Sequence, residues 1–368
     1  MKKAVIVLPT YNEKGNVKTL IPQIFSVCSA ILEWDINVLV VDDNSPDGTA
    51  SEIRRLQKKY KNLFLLEGKR RGLGRAYIRG FAYAIDELHA DILFEMDADL
   101  SHDPRLIPQF LKKIEDGADF VVGSRYIPGG SIPSNWKLYR KVLSYVGNLI
   151  IRFGFMDLSL HEWTNGNRAV KATFIKKILH QLERYNGYVF QVAILDKARK
   201  DHLRIVEIPQ QFKDREFGHS KIDSFKYISD ILIYVFLNSS FIKFCIVGFV
   251  GFIINVLGLE VFYRLGFRPG VAAAIGAEFS IISNFVFNNF WSFSHKKIKS
   301  PADYLPKFIK FNTVSFGSIV IQFVVVGTGT YFLGDHTRFI FLVLSVVIFV
   351  IPYSYFMYNQ FIWRQTGS

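Results

Sequence analysis

Four acids fall within the eleven residues FEMDADLSHDP, from Phe94 to Pro104: Glu95, Asp97, Asp99 and Asp103. They follow directly on the apolar run DILF, in a chain whose formal net charge is +13. Side chains two apart on a strand share a face. Asp97 and Asp99 would therefore stand side by side, where their charges repel and burial costs more. A hard divalent cation resolves that conflict, because Mg2+ and Mn2+ accept carboxylate oxygens and share their shell with substrate phosphates. Asp97 and Asp99 are accordingly the expected metal ligands. Glu95 shares their face if the strand stays regular, with no role assigned to it. Asp103, just before Pro104, reads as a turn or helix-cap residue.

The lysine and arginine excess points to an anionic partner, either a phosphate-bearing ligand or an anionic membrane surface. No nucleic-acid module is recognisable. In RRGLGRAYIRG, Gly72 and Gly74 open a helix, but Tyr77 stands where G-x-G-x-x-G needs its last glycine. A dinucleotide loop is disfavoured, although glycine at a helix start still permits close approach of a phosphate or sugar. Further on, GSRYIPGGSIPSNWKLYRKVLSYVGN carries Arg125, Arg140 and Ser144. Arg140 and Ser144 are four apart and would share a helix face. An arginine and a hydroxyl so placed can bind a phosphate; a solvated helix face is the plainer alternative.

The elements that must hold these residues alternate. Strands are expected at AVIVLP, INVLVVDD, LFLLEG and ADILFEMDADLS, with helices from about Val17 to Leu32 and from about Thr49. This pattern indicates an α/β domain with a mostly parallel, doubly wound sheet. In such sheets ligands bind outside the carboxyl ends of the strands. Tyr11, Asn12, Glu13, Asp42, Asp43, Asp47, Asp97 and Asp99 all lie at or just after such ends.

Taken together, LPTYNE, VVDDNSPDGT, GLGRAYIRG, MDADLSHDP and VVGSRY resemble glycosyltransferase family 2. Within it the chain is similar to the dolichyl-phosphate mannose synthases and polyprenyl-phosphate glucosyltransferases, over essentially all of residues 1–222. The resemblance implies a GT-A fold, a nucleotide-sugar donor, a divalent metal and inversion at the anomeric carbon. It implies that Pro9, Tyr11, Glu13 and Asp42 line the nucleotide pocket and that Asp97, Asp99 and Ser101 hold the metal. It also implies that Arg125, Arg140 and Ser144 serve the acceptor phosphate. REFGHSKI matches the family's R-x-x-G-x-S-K, so Arg215, Ser220 and Lys221 would close on the diphosphate. HEWTNGNRAVK departs from the family's D-x-T-S-G-F-R: Glu162 replaces Asp, Asn165 replaces Ser and Asn167 replaces the aromatic, while Gly166 and Arg168 match. By the same resemblance GDP-mannose is the expected donor, with UDP-glucose the alternative.

The second half reads differently. Four apolar segments, Phe244–Tyr263, Gly270–Phe293, Phe311–Leu333 and Phe339–Tyr358, each approach the ~20 residues that cross a bilayer. The link after the second holds five lysines, so positive-inside counting places it, both termini and the first 240 residues on the cytoplasmic side. Glu278 lies inside the second segment and either lines a polar path or is a satisfied structural residue. FIKFCIVGFVG from Phe241 is echoed by FIKFNTVSFGS from Phe308, and NFVFNNF from Asn284 more faintly by YFMYNQF from Tyr355. Two hairpins of like orientation are expected. Lys243 to Asn255, with NFVFNNFWSF, resembles the GtrA-like membrane family, which is associated with lipid-linked sugars.

The expected organisation is thus a cytoplasmic transferase domain over 1–222, an amphipathic connecting or interfacial helix over 223–240, and four membrane helices over 241–368. Only Cys28 and Cys245 are present, so no disulfide framework or cysteine metal site is implied. AVIVLP is too short for a signal peptide's apolar region. A processive polysaccharide synthase would carry Q-x-x-R-W, whereas QLERY at Gln181–Tyr185 lacks the tryptophan. A non-enzymatic carrier of lipid-linked sugars would not need Asp97 and Asp99.

Overall fold

The computed structural model describes residues 1–185, 187, 189–214 and 224–363. The chain divides into two compact units, Met1–Phe153 with Asp157–Val235, and Gly154–Met156 with the residues from Phe236 onward.

In the first unit the elements run β1 Lys2–Thr10, α1 Lys14–Cys28, β2 Trp34–Asp42, α2 Thr49–Gln57, β3 Leu63–Glu67, α3 Leu73–Asp86 and β4 Ile92–Glu95. They continue with α4 Ile107–Glu115, β5 Phe120–Ser124, α5 Leu138–Phe155, β6 Arg168–Lys171, α6 Ala172–Leu182, α7 Val189–Lys200, β7 Ile205–Pro209 and α8 Ser224–Asn238. The seven strands among the described residues form one sheet in the order β3-β2-β1-β4-β6-β5-β7. All pairs are parallel except those of β6, which runs against β4 and β5. The expected doubly wound, mostly parallel sheet is present, with one reversed strand inside it.

Alternation in the strands builds both faces. Ile6, Leu8, Val38, Val40 and Phe94 join the core that α1 and α4 close with Leu20, Ile24, Phe110 and Leu111. Each such fully buried side chain contributes about 1.5–3 kcal/mol. On the other face α3 comes close: a Cβ at Gly80 would strike the γ-methyls of Val7 and Val41.

Two expectations about helices and strands change. Helix α1 starts at Lys14 rather than Val17 and stops at Cys28 rather than Leu32. Its first turn is steadied by Asn16, whose Nδ2 donates to Glu13 Oε2 at 2.5 Å. Strand β4 ends at Glu95, so Asp97 and Asp99 stand on the loop beyond it and not on the strand. The side alternation nevertheless persists past the ladder. Met96 and Ala98 are buried in the core with Phe94. Glu95 and Asp97 turn the other way, towards Tyr77 of α3.

The second unit holds α9 Ser240–Arg264, α10 Pro269–Phe287, α11 Tyr304–Leu333, α12 Arg338–Leu344 and α13 Ile351–Met357. Among the described residues, four helical runs are long and apolar enough to cross a membrane: Ser240–Arg264, Pro269–Ser292, Pro301–Leu333 and Ile340–Ile362. Helix α11 starts seven residues before the expected Phe311, because YLPKFIK is helical. Helices α9 and α10 touch at their backbones, where a Cβ on Gly258 would meet the Cα of Gly276.

The repeat is visible in three dimensions. Phe244 and Val247 on α9 and their counterparts Phe311 and Val314 on α11 are all buried. Both returning helices end in a π-helical turn, Asn288–Ser292 and Tyr358–Ile362, followed by Phe293 and Trp363 in the same backbone conformation. Those two rings stack at 4.6 Å. This shifts the fainter sequence match by one residue: Asn284 corresponds to Ser354 and Phe285 to Tyr355. Burial dictates the new register, since Phe285 and Tyr355 are both inside whereas Phe356 is 58% exposed.

Candidate active site

Two cavities adjoin at the carboxyl end of the sheet, and Leu73, Asp97 and Asp99 border both. The first, of about 310 Å³, is lined by Pro9, Tyr11, Glu13, Asp43, Arg70 and Gly72 among others. The second, of about 380 Å³, is lined by the polar Ser101, Arg125, Arg140 and Ser144 and by the apolar Leu143, Ile150, Ile231 and Leu232. The chain ends of β1 and β4 and the N-terminus of α3 supply the first wall. Helices α5 and α8 supply those apolar residues of the second, and α5 carries Arg140 and Ser144 among them.

The shared border is acidic. The Tyr77 hydroxyl donates to Asp97 Oδ1 at 3.3 Å. Asp99 is 8% exposed, and its Oδ1 accepts from the backbone N–H and the hydroxyl of Ser101, at 3.1 and 2.6 Å. Leu100 between them adopts φ 67°, which tightens the turn. Among the described residues no group of three or more His, Cys, Asp or Glu gathers to enclose a metal. Two carboxylates with oxygen-only chemistry suit Mg2+ or Mn2+, which fill their shells from water and phosphate, and do not suit a tetrahedral zinc site. The donor set therefore fits the expected ion.

In the first cavity the Arg70 guanidinium lies 3.9 Å from the centroid of the Tyr11 ring. Asp43 pairs with Arg79 at 2.9 Å. Burial pushes its carboxyl above the usual range, against the opposing pull of Arg79. Asp42, expected in this lining, is instead turned into the protein. It is fully buried and accepts from the Thr10 hydroxyl at 2.9 Å and from the Ser45 hydroxyl and N–H at 2.6 and 2.9 Å. Its oxygens tie β1 to the loop after β2.

In the second cavity Arg125 and Glu162 form a buried, two-pronged ion pair: Nε donates to Oε2 at 2.7 Å and Nη2 to Oε1 at 2.9 Å. Burial raises the Glu162 carboxyl, but the Arg125 charge and its hydrogen bonds, with those of Thr164, outweigh this and hold it below the usual range. Arg140 stacks over Trp136 at 3.7 Å from the ring centroid and reaches Asp214 at 3.7 Å. Ser144 and the Tyr126 hydroxyl meet at 2.5 Å. Helix α5 thus carries Arg140 and Ser144 to one cavity, as their spacing predicted. The same helix exposes Leu138, Val142, Val146 and Phe153, an apolar strip with basic neighbours and no acids along it. Such a helix lies comfortably on a membrane surface. Arg215, Ser220 and Lys221 lie outside the described residues.

A hydrogen-bonded chain that no motif announced links the two groups. The backbone N–H of Asp97 donates to His102 Nδ1 at 3.0 Å. That nitrogen must accept, so the ring proton sits on Nε2, which meets Asn165 Oδ1 at 3.1 Å. The Asn165 N–H in turn donates to Glu162 Oε1 at 3.1 Å, and Glu162 holds Arg125. Asn165 Nδ2 also donates to Gln210 Oε1 at 2.7 Å, which accepts from Asn167 Nδ2 at 3.1 Å. The three departures from the family motif, Glu162, Asn165 and Asn167, are therefore parts of one network. A Cβ at Gly166 would come within 3.3 Å of the Gln191 amide, so that position stays small. Beneath Asp97, burial pushes the Glu95 carboxyl up to about 7, with Arg168 and Gln191 opposing the shift.

Residues 5–183 match the model of the family described as Glycosyl transferase family 2, and residues 243–363 that of the GtrA/DPMS transmembrane domain. The chain is 30% identical to a dolichol-phosphate mannosyltransferase of Pyrococcus furiosus over 358 residues, 95% of this chain and 97% of that one. It is 34% identical to a polyprenol monophosphomannose synthase of Mycolicibacterium smegmatis over 60% of this chain and 81% of that one. An undecaprenyl-phosphate mannosyltransferase of Micrococcus luteus is 37% identical over 60% of this chain and 87% of its own length.

Proposed function

Because the chain belongs to glycosyltransferase family 2 and carries a GtrA/DPMS transmembrane domain behind the catalytic one, we propose that it transfers a single mannose from GDP-mannose to the phosphate of a dolichyl or other polyprenyl phosphate, with inversion at the anomeric carbon. The observation that carries this reading is the second cavity's mixed lining, basic and hydroxyl groups together with apolar side chains, beside the shared acids. Arg140 and Ser144 suit a phosphate, and Leu143, Ile150, Ile231 and Leu232 suit a prenyl chain. A soluble sugar acceptor would have no use for those apolar side chains. The three relatives named for mannosyl transfer to prenyl phosphates support mannose as the sugar.

The first cavity takes the nucleotide, with Pro9, Tyr11 and Glu13 around it; Arg215 and Lys221, outside the described residues, are assigned to the diphosphate by the family motif alone. Asp97 and Asp99, with Ser101 orienting Asp99, hold Mg2+ or Mn2+, which when bound neutralises charge on the leaving diphosphate. The acceptor phosphate has a second pKa of roughly 6 and is mostly dianionic at pH 7. It needs no general base. The protein's work is to place that oxygen in line with the anomeric carbon. Arg140 and Ser144 hold it, and Arg125, braced by Glu162, adds positive potential to the cavity wall. The catalytic domain and both termini face the cytoplasm, as the five lysines of the middle link favour. Incubating the protein with radiolabelled GDP-mannose, Mn2+ and polyprenyl phosphate should move label into the organic phase. Label retained in water with GDP-mannose but extracted with UDP-glucose would reassign the sugar; retention with both would refute the reading.

A further inference from the structure

The paired membrane hairpins provide an internal comparison. In the second hairpin the Ser315 and Tyr358 hydroxyls meet at 2.7 Å, and those of Ser318 and Ser354 at 2.9 Å. The counterparts of Ser315 and Ser318 in the first hairpin are Gly248 and Gly251. Those of Ser354, Tyr358 and Ile362 are Asn284, Asn288 and Ser292. Here the pairing is missing. Asn284 Oδ1, Asn288 Oδ1 and Ser292 Oγ are buried and meet no hydrogen-bond partner among the described residues. Asn288 is 2% exposed and Ser292 1%. Spaced four apart, the three residues share one side of α10 and its π-helical turn, over roughly 12 Å.

Gly251 exists to seat this arrangement, since a Cβ there would collide with the Asn284 carboxamide. One turn away on α9, Gly248 is exposed and a Cβ there would meet nothing within 4 Å, so the serine hydroxyl that the second hairpin places at this position has no counterpart here. Unpartnered polar atoms are costly in a helix surrounded by hydrocarbon. A partner from outside the chain is the natural remedy.

We propose that Asn284, Asn288 and Ser292 form a binding site for the uncharged, hydroxyl-rich portion of a lipid headgroup. An amide and a hydroxyl each both donate and accept, as sugar and glycerol hydroxyls do. An anion is disfavoured, because two of the three unpartnered atoms are carbonyl oxygens and none of the three residues is basic. A cation is disfavoured too: Glu278, six residues before Asn284, is exposed and lies roughly 120° round the helix. The headgroup is either the hexosyl group of a lipid-linked sugar or the glycerol of phosphatidylglycerol. The hexosyl source rests on the transfer reaction proposed above; the site itself does not.

The test is photo-crosslinking of the full-length protein in nanodiscs. Three probes carry a diazirine on the headgroup: polyprenyl-phosphate mannose, phosphatidylglycerol, and a lipid with no headgroup hydroxyl. Labelling is mapped by peptide mass spectrometry. The expected result is labelling within residues 280–293 by a hydroxylated probe, competed by its unlabelled form. Whichever of the two hydroxylated probes labels more strongly is the source. Labelling should fall at least tenfold in Asn288→Leu. It should fall likewise in the double variant Gly251→Ser/Asn284→Ser, which installs the second hairpin's self-satisfied pair. Mannosyl transfer by both variants should stay within twofold of the parent, which also shows that they fold. Labelling equal to that of the hydroxyl-free lipid, as expected if water alone fills the site, would overturn the proposal. So would labelling unchanged in both variants. Absence of transfer with labelling by phosphatidylglycerol intact would sink the transfer reading and leave the site standing.

Discussion

Glutamate 162 offers a perturbation whose size follows from the structure. Its carboxylate is fully buried and receives both prongs of Arg125, together with the N–H groups of Thr164 and Asn165. Glu162→Gln keeps the shape and removes the charge, so the Arg125 guanidinium is left buried and uncompensated. Breaking one side of such a pair costs about 3–5 kcal/mol. For a unit of this size each kcal/mol moves Tm by roughly 2–4 °C, so a fall of roughly 6–20 °C is expected by tryptophan fluorescence. Replacing both partners, Arg125→Met with Glu162→Leu, should cost less than the single change, because no charge is then stranded. The pH dependence has a definite sign. A carboxyl held below its ordinary value of 4.5 contributes stability that is present above that pH and lost as pH falls through the folded value. The parent should therefore lose stability below about pH 4.5 more steeply than Glu162→Gln. A Tm change under about 3 °C in Glu162→Gln, or a double variant worse than the single, would refute the buried-pair argument.

Further outcomes follow from the same geometry. Asp99→Asn should lower kcat by about 10²-fold or more and abolish Mn2+ binding measured by electron paramagnetic resonance, while the unfolding temperature in EDTA stays near that of the parent. Arg140→Ala should raise KM for the prenyl phosphate about 10- to 100-fold, the worth of a charge-assisted hydrogen bond, with KM for the nucleotide sugar unchanged. Glu95 carries the opposite pH sign to Glu162. Its carboxyl rises from 4.5 to about 7 on burial, so the folded state holds a proton that the unfolded state has released, and stability declines between those two values. In EDTA, Glu95→Gln should therefore be more stable than the parent at pH 8 by up to about 3 kcal/mol and nearly equal to it at pH 4.5.

What could be read from the chain alone was whatever short-range pattern determines. Apolar runs ending in polar loops marked β1, β2, β3 and β4, and the i, i+4 spacing placed Arg140 and Ser144 on one cavity wall. Asp97 and Asp99 do lie at the carboxyl end of the sheet, bordering both cavities, though on a loop and not on the strand. Asp42 and Asp43 are adjacent in sequence and nothing local says which one turns inward; Thr10 and Ser45 decide it from two other segments. The antiparallel insertion of β6 between β4 and β5 depends on pairings across more than forty residues. His102 and the Asn165–Glu162 link are likewise tertiary. A histidine five residues after an Asp could cap, ligate or fill space, and only the contact with Asn165, three residues before β6 in the chain, gives it a role. The repeat in the membrane half was legible in its first strand of matches. Its second was displaced by one residue, because phenylalanine-rich segments align almost equally well in neighbouring registers and burial alone separates them.

The central claim is that two adjoining cavities, joined at Asp97 and Asp99, move one sugar onto a prenyl phosphate. Mass spectrometry of the lipid product from purified protein, GDP-mannose, Mn2+ and polyprenyl phosphate tests this most directly. The account predicts a product one hexose heavier than the acceptor, with the new bond on phosphate and with no ladder of longer species at any reaction time. The rate of product formation should fall about 10²-fold or more with Asp99→Asn. A polymer ladder, a sugar attached elsewhere than phosphate, or full activity in Asp99→Asn would contradict it.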